Sequence, residues 1–211
     1  MINADCMADR AEELEAAANG IDPASLQAAK AAMNINCREY LRWVDLFSCR
    51  LETIEPEKLH HFARALSLTL LGHLPVRPAT CPFCIQYGDD KSCKGCGYAA
   101  THGRCDADDS AFSLFIESFQ ELGRSIYQDT ANEISDVSAK EAKRILSALL
   151  LSSKDLTRGF QEDLPSLSTL QLMRKKQNYI DHMILLLPLV LFSEDVRAMC
   201  RILDSRLKSY W

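Results

Sequence analysis

Residues 22–54 read DPASLQAAKAAMNINCREYLRWVDLFSCRLETI and hold the most regular helical pattern in the chain. Apolar side chains recur there in steps of three and four residues, as on one face of a helix. They are Leu26, Ala29, Met33, Cys37, Tyr40, Val44, Phe47, Leu51 and Ile54. Asp22 and Pro23 supply an N-cap and a first helical residue. The stretch therefore predicts a helix of about seven or eight turns that forms the spine of a bundle.

The outer face of this predicted helix is charged. It carries Arg38, Glu39, Arg42 and Asp45, which fall away from the apolar seam. A coiled-coil dimer is one interpretation of such a long helix. Packing within the chain is favoured, because other apolar helices are available to cover the seam.

Similar patterns predict further helices on both sides of this spine. They cover residues 5–19, 56–72, 111–126, 138–150, 167–187 and 193–211, and residues 152–165 are predicted to be a connection. Only eight glycines and seven prolines interrupt the chain, which favours long helices over a many-turned β fold. The sequence thus predicts an all-α, multi-helix bundle of about six to seven helices. We expect a single helical domain, 1–211, with an inserted cysteine-rich module at 78–109.

Composition and charge narrow the classes of partner. The 211 residues carry a net charge of −5, with a pI near 5.6, so a nucleic-acid partner is disfavoured. One short basic run, residues 174–176, is interpreted as an exposed helix face. The apolar run at residues 183–192 is too short to span a bilayer, and no membrane association is predicted.

The segment from Cys81 to Cys105 breaks the helical pattern. It contains five of the nine cysteines, spaced C-x2-C-x8-C-x2-C-x8-C. Two C-x2-C pairs are the arrangement by which adjacent backbone turns direct thiolates at one metal ion. A disulfide framework is disfavoured, because no secretory leader follows Met1 and a chain of this size does not need cross-links. A reduced, cytoplasmic metal site is therefore predicted. A short hairpin inside this cysteine module is the one exception to the absence of strand patterns in the chain.

The two cysteine pairs, Cys81-Pro82-Phe83-Cys84 and Cys93-Lys94-Gly95-Cys96-Gly97-Tyr98, resemble the knuckles of zinc ribbons and rubredoxins. The segment is also similar to small cysteine modules of uncharacterised bacterial proteins, a likeness that implies no function. In the knuckle pattern, Gly97 directly follows the second pair; glycine can take a positive φ and let the chain curl so that backbone N–H groups face the thiolates. The likeness covers only about residues 81–105, and the gap between the two pairs is shorter than in most zinc ribbons.

The first candidate metal ligands are Cys81, Cys84, Cys93 and Cys96. Cys105, and after it His102, are the candidates to replace one of them. Zinc is the expected ion, and iron or a [4Fe-4S] cluster is the alternative, because the candidates outnumber the positions of one tetrahedral site. The cysteines outside this segment, Cys6, Cys37, Cys49 and Cys200, are interpreted as small buried side chains.

Three functions remain open at this stage. The favoured one is a non-enzymatic protein, in which structural zinc fixes a loop that meets a protein partner or a second copy of the chain. The second is an iron-containing redox or sensor protein. The third is a zinc enzyme in which His102 and Cys105 replace one knuckle and Asp106 is the base. No phosphate-binding loop, nucleophile elbow or HExxH motif supports an enzyme.

Overall fold

The fold was analysed in a computed structural model that describes residues 4–88, 93–130 and 137–210, with only the backbone of residues 4–10, His102 and Tyr210. The described residues form nine α-helices and no strand, which confirms the all-α prediction. The helices are α1 (Ala4–Asn19), α2 (Pro23–Thr53), α3 (Leu59–Gly72), α4 (Pro82–Tyr87), α5 (Gly97–His102), α6 (Ala111–Gln128), α7 (Ala139–Asp163), α8 (Thr169–Leu185) and α9 (Glu194–Tyr210).

Seven of these helices are long, and two short ones, α4 and α5, belong to the cysteine module. The prediction of about six to seven helices therefore agrees with the long elements. The expectation of a hairpin inside the module is wrong for its described residues. Pro82 starts α4 and Gly97 starts α5, so each C-x2-C pair adjoins a helical turn rather than a strand.

Helix α2 forms the spine that the sequence predicts. An Asp22 carboxylate oxygen accepts a hydrogen bond from the Ser25 amide at 2.7 Å and caps the helix, with Pro23 at its first position. Met33 and Tyr40 on the inner face are fully buried. Burying side chains of this size contributes roughly 1.5–3 kcal/mol each. α2 packs against α7, α4 and α3, which places one end of the cysteine module on the spine.

Helix α7 is longer than the sequence suggests. Residues 152–165 were expected to form a connection, but α7 continues to Asp163. Tertiary contacts stabilise the continuation. Ser153, Thr157 and Phe160 are buried on one face of the helix, and the hydroxyls of Thr157 and Tyr179 lie 3.0 Å apart. Packing therefore overrides the weak helix propensity of the serines and Gly159.

Two further helices, α8 and α9, follow α7. Ser168 and Gln171 form a capping box at the start of α8, and α8 ends before Pro188, as expected for a proline that cannot continue a helix. The apolar run at residues 183–192 turns the corner into α9, which packs along α6. Within the described part of the chain, the helices are all too short or too polar to cross a lipid bilayer.

Adjacent histidines on a helix point about 100° apart, so the sequence predicts that His60 and His61 are a surface pair rather than ligands of one ion. His60 departs from this prediction. Its side chain is only 10% exposed, and its Nε2–H donates to the backbone carbonyl of Asp129 at 3.2 Å, with the Asp129 carboxylate 3.6 Å away. The His60 ring also contacts the edge of Phe192. His61 is exposed, as predicted. The partly buried His60 thus links α3 to the ends of α6 and of the α8–α9 corner.

Candidate metal centre

The first cysteine pair is positioned by the start of α4. Cys81 has the extended conformation that a residue before proline favours, with φ −107° and ψ 116°, and Cys84 lies one turn further on. Side chains three residues apart at a helix start fall on the same side. The carbonyl of Cys81 accepts from the Ile85 amide at 3.0 Å, which closes the first turn. The two thiols are therefore held side by side.

The second pair is held in a tight turn rather than in a helix. Cys93 has a φ of 50°, and Gly95 has a φ of 81°. The Cys96 amide donates to the carbonyl of Cys93 at 3.0 Å, and Cys96 directly precedes α5. Gly97 does not use the positive φ that glycine allows, because it begins α5; the left-handed residues of this turn are Cys93 and Gly95.

Gly97 has a different structural role. A Cβ atom built on it would lie only 1.7 Å from the Cβ of Ala17 in α1. Glycine is therefore required where α5 crosses α1, because a larger residue would push the two helices apart. This close approach fixes the second cysteine pair against the N-terminal helix.

The last candidate thiol follows the end of α5. Gly103, with a φ of 81°, terminates the helix, and its amide donates to the Ala99 carbonyl at 3.1 Å. Cys105 lies in the turn that follows and is half-buried. The side chain of His102, the other substitute ligand, lies outside the described residues.

The five thiols act on one another. The pKa of Cys81 is raised well above its usual range, first because its thiol donates a hydrogen bond to Cys84 and then because it is desolvated. The pKa of Cys84 is raised to about 11, chiefly by donation to Cys105. Burial raises the pKa of Cys96, and its proximity to the thiols of Cys81 and Cys93 adds to this shift, because two neighbouring thiolates would repel each other. The structure thus brings the five predicted site cysteines into one neighbourhood.

A buried lysine faces this cluster. Lys176 of α8 is 3% exposed, and the charges that act on its ammonium come from Cys81, Cys84 and Cys105. Burial lowers the pKa of Lys176, and the three cysteines oppose that shift. The interpretation of residues 174–176 as an exposed face is therefore wrong for Lys176. It is correct for Arg174, which is exposed, while Lys175 is half-buried and pairs with Asp163 at 2.6 Å near the surface.

A sequence signal for Lys176 does exist. It lies four residues after Leu172 and four before Ile180, both fully buried, so it occupies a position of the apolar stripe of α8. A lysine at such a position is seldom buried unless an anion is near it. The signal was hidden because the adjacent Arg174 and Lys175 made the run look like a solvated surface.

The thiols are close together but do not form a finished metal site. Among the side chains that the structure describes, no group of three or more His, Cys, Asp or Glu residues has an arrangement that could hold a metal ion. The eight cysteines whose side chains are described are free thiols. Of the scattered cysteines, Cys37 and Cys200 are buried as predicted, Cys49 is exposed, and Cys6 lies outside the described side chains.

The acid nominated for a catalytic zinc site is badly suited to that task. Asp106 is exposed and pairs with Arg104 at 2.7 Å. This hydrogen bond holds the pKa of Asp106 below its ordinary value, which weakens the carboxylate as a base. His73 is also engaged elsewhere, because its Nδ1–H donates to the Thr69 carbonyl at 2.8 Å.

The cluster therefore offers thiol sulfur, one buried ammonium group and little general-base chemistry. Such a donor set favours a soft or borderline metal ion and a closed site. Comparisons with protein-family models, with curated proteins and with solved structures give no match for this chain.

Proposed function

We propose that the chain is a metal-binding helical protein whose cysteine module holds a structural zinc ion. The ligands are drawn from Cys81, Cys84, Cys93, Cys96 and Cys105. Four thiolates leave no open coordination position, so the ion stabilises the module rather than activating a substrate. The module then presents a fixed surface to a protein partner, or to a second copy of the chain, in a reducing compartment such as the cytoplasm.

The observation that carries this proposal is that Lys176 is buried within electrostatic range of Cys81, Cys84 and Cys105. A buried ammonium group is costly unless an anion lies beside it. The three thiols have no negative charge while they are protonated. Zinc displaces those protons and leaves a tetrathiolate centre that is formally dianionic, so Lys176 gains its counterion when the metal binds.

Metal binding is expected to complete the site. Protein metal sites are rarely preformed without the ion, because the binding energy is also folding energy. Here the two knuckles rest on different helices, α4 on α2 and α5 on α1. An ion shared between the knuckles joins those two contacts, so its loss loosens the module without unfolding the long helices.

Cysteine variants test this assignment. Cys81→Ser and Cys84→Ser are expected to lose most of the bound zinc, and in cobalt-loaded protein to lose the sulfur-to-metal charge-transfer absorption. Cys49→Ser is the matched control, because Cys49 is an exposed thiol on the outer side of α2. Equal metal content in all three variants would show that the ion is held elsewhere.

Iron, as a single ion or a [4Fe-4S] cluster, is the second candidate. The specific observation in its favour is a fifth thiol, Cys105, that interacts with Cys84 and faces Lys176. A buried cation beside a cluster raises its reduction potential, because it favours the more negative reduced state. Visible absorption in protein purified without air, bleached by dithionite, would select iron over zinc.

A further inference from the structure

The outer face of α2 carries a second heptad pattern, independent of the buried seam. Its positions alternate in steps of three and four residues along a helix face about 25 Å long. They are Ala32, Ile35, Glu39, Arg42, Leu46 and Cys49. Ile35 is 51% exposed and Leu46 is 55% exposed, which is unusual for apolar side chains of this size on a regular stripe.

The two charged positions at the centre of this stripe, Glu39 and Arg42, form no ion pair with the residues that the structure describes. Both Glu39 and Arg42 are exposed. None of the ion pairs among the described residues involves either side chain. Glu39 and Arg42 line a shallow surface depression together with Trp43 and Leu46. The stripe thus offers apolar ends and a complementary charged centre.

We propose that this face is the contact of an antiparallel homodimer, in which α2 packs against α2 of a second copy. Reversing the stripe about its midpoint, between Tyr40 and Leu41, superposes it on itself. Ile35 then faces Leu46 of the second copy, Glu39 faces Arg42, and Ala32 faces Cys49. Such a two-fold, self-complementary surface is what an isologous dimer requires.

The charges decide the orientation. In an antiparallel pair each Glu39 meets an Arg42, and this happens twice because of the two-fold axis. In a parallel pair Glu39 would meet Glu39 and Arg42 would meet Arg42, and like charges placed opposite each other are disfavoured.

The expected dimer is a reversible one. A single helix pair buries less surface than a standard stable interface, so we expect a dissociation constant on the order of 1–100 µM. This inference does not depend on the proposed metal, because α2 presents the stripe on the side away from its buried face. Dimerisation should therefore persist when a chelator is present.

Charge reversal is the test, with sedimentation equilibrium on the full chain as the readout. Glu39→Arg and Arg42→Glu should each weaken the dimer by about tenfold or more, because each places like charges in both central layers. The double variant should restore the dimer, and an equimolar mixture of the two single variants should form a heterodimer. Glu52→Arg, an exposed site on α2 outside the stripe, is the control.

A cross-link checks the register. Ala32→Cys should form a disulfide with Cys49 of a second copy under oxidised glutathione, and the same variant with Cys49→Ser should not. Helix content from circular dichroism verifies that each variant is folded. The proposal would be overturned by a wild-type chain that stays monomeric at a concentration of about several hundred micromolar, above the expected range of the dissociation constant. It would also be overturned by a dimer whose dissociation constant does not change with the charge reversals.

Discussion

At the residue scale, Lys176 links the fold to the chemistry of the cysteine module. Its ammonium group is buried in a helical core and faces three thiols. A lysine in this place disfavours folding of the metal-free protein and favours binding of an anionic metal centre. These opposite effects can be separated by replacing the charge with a side chain of similar volume.

Lys176→Met is expected to stabilise the metal-free protein and to weaken metal binding. Replacing a buried charge with an apolar side chain stabilises by about 1–4 kcal/mol. The tetrathiolate centre loses its countercharge, so zinc affinity should fall. Denaturant unfolding with a chelator present, and competition with a zinc indicator, measure the two effects.

Lys175→Met is the matched control for this substitution. Lys175 is the sequence neighbour of Lys176, but its ion pair with Asp163 is near the surface, where such pairs contribute about 0–1 kcal/mol. Both quantities should stay near the wild-type values in this control. If the Lys176→Met protein bound zinc as tightly as wild type, Lys176 would not be the countercharge of the metal centre.

The thiol pKa values give a pH dependence. The pKa of Cys81 is raised and that of Cys84 is raised to about 11, so both thiols are protonated at neutral pH in the metal-free protein. Zinc must displace these protons. Zinc binding in weak buffer should release protons, and affinity should increase as pH rises from about 6 to 8, towards the ordinary thiol pKa near 8.5.

The stability of the metal-free protein depends on pH in the opposite direction to zinc affinity. A thiol with a raised folded-state pKa contributes stability that is complete below its unfolded pKa and is lost as pH rises through the folded value. The free energy of unfolding without metal should therefore decrease above about pH 8.5.

For the zinc-binding prediction, an affinity that is unchanged between pH 6 and 8, with no proton release, would contradict thiolate ligands.

At the element scale, contact between helices decides where the cysteine module lies. The sequence indicates that Gly97 is special, but assigns it to the backbone geometry of a metal knuckle. The structure instead places it where α5 crosses α1, with no room for a Cβ atom beside Ala17. A local pattern cannot reveal such a contact, because the partner residue is distant in the chain.

Gly97→Ala should therefore loosen the module. The added methyl overlaps Ala17, and overpacking of this kind typically costs about 1–3 kcal/mol. Thermal unfolding followed by circular dichroism measures the loss. The double variant with Ala17→Gly should recover part of the stability, because it removes the atom that the new Cβ meets.

Gly123→Ala in α6 is the control for this substitution. Nothing lies within 4 Å of the position of its Cβ, so alanine should stabilise the helix by up to about 1 kcal/mol. If Gly97→Ala were as stable as Gly123→Ala, the close approach of α5 to α1 would be absent in solution.

The helices themselves could largely be predicted from periodicity and caps. The long seam of α2 and the proline at its first position gave its bounds to within about one or two residues. The second half of α7 could not be predicted, because its buried face contains Ser153 and Thr157, and the contact of Thr157 with Tyr179 of α8 joins residues far apart in the chain. Tertiary contacts of this kind leave little trace in local composition.

At the scale of the whole molecule, the cysteine cluster and its neighbouring lysine come from distant parts of the chain. Cys81 caps α4 and Cys84 lies within it, on the spine. Cys96 precedes α5 on α1, and Lys176 comes from α8. The sequence predicted the cysteines from their spacing. It did not predict Lys176 or the partly buried His60, because the long-range partners of both residues are visible only in the folded structure.

The central claim is that the cysteine module binds a metal ion, and metal content tests it most directly. Elemental analysis and an ultraviolet–visible spectrum should be recorded on wild-type protein purified without air. We predict close to one zinc per chain and no visible absorption. Iron with visible absorption would contradict the assignment of zinc but would agree with metal binding by the cysteine module. A folded chain that holds no metal, and binds neither zinc nor iron when they are supplied, would contradict the claim itself.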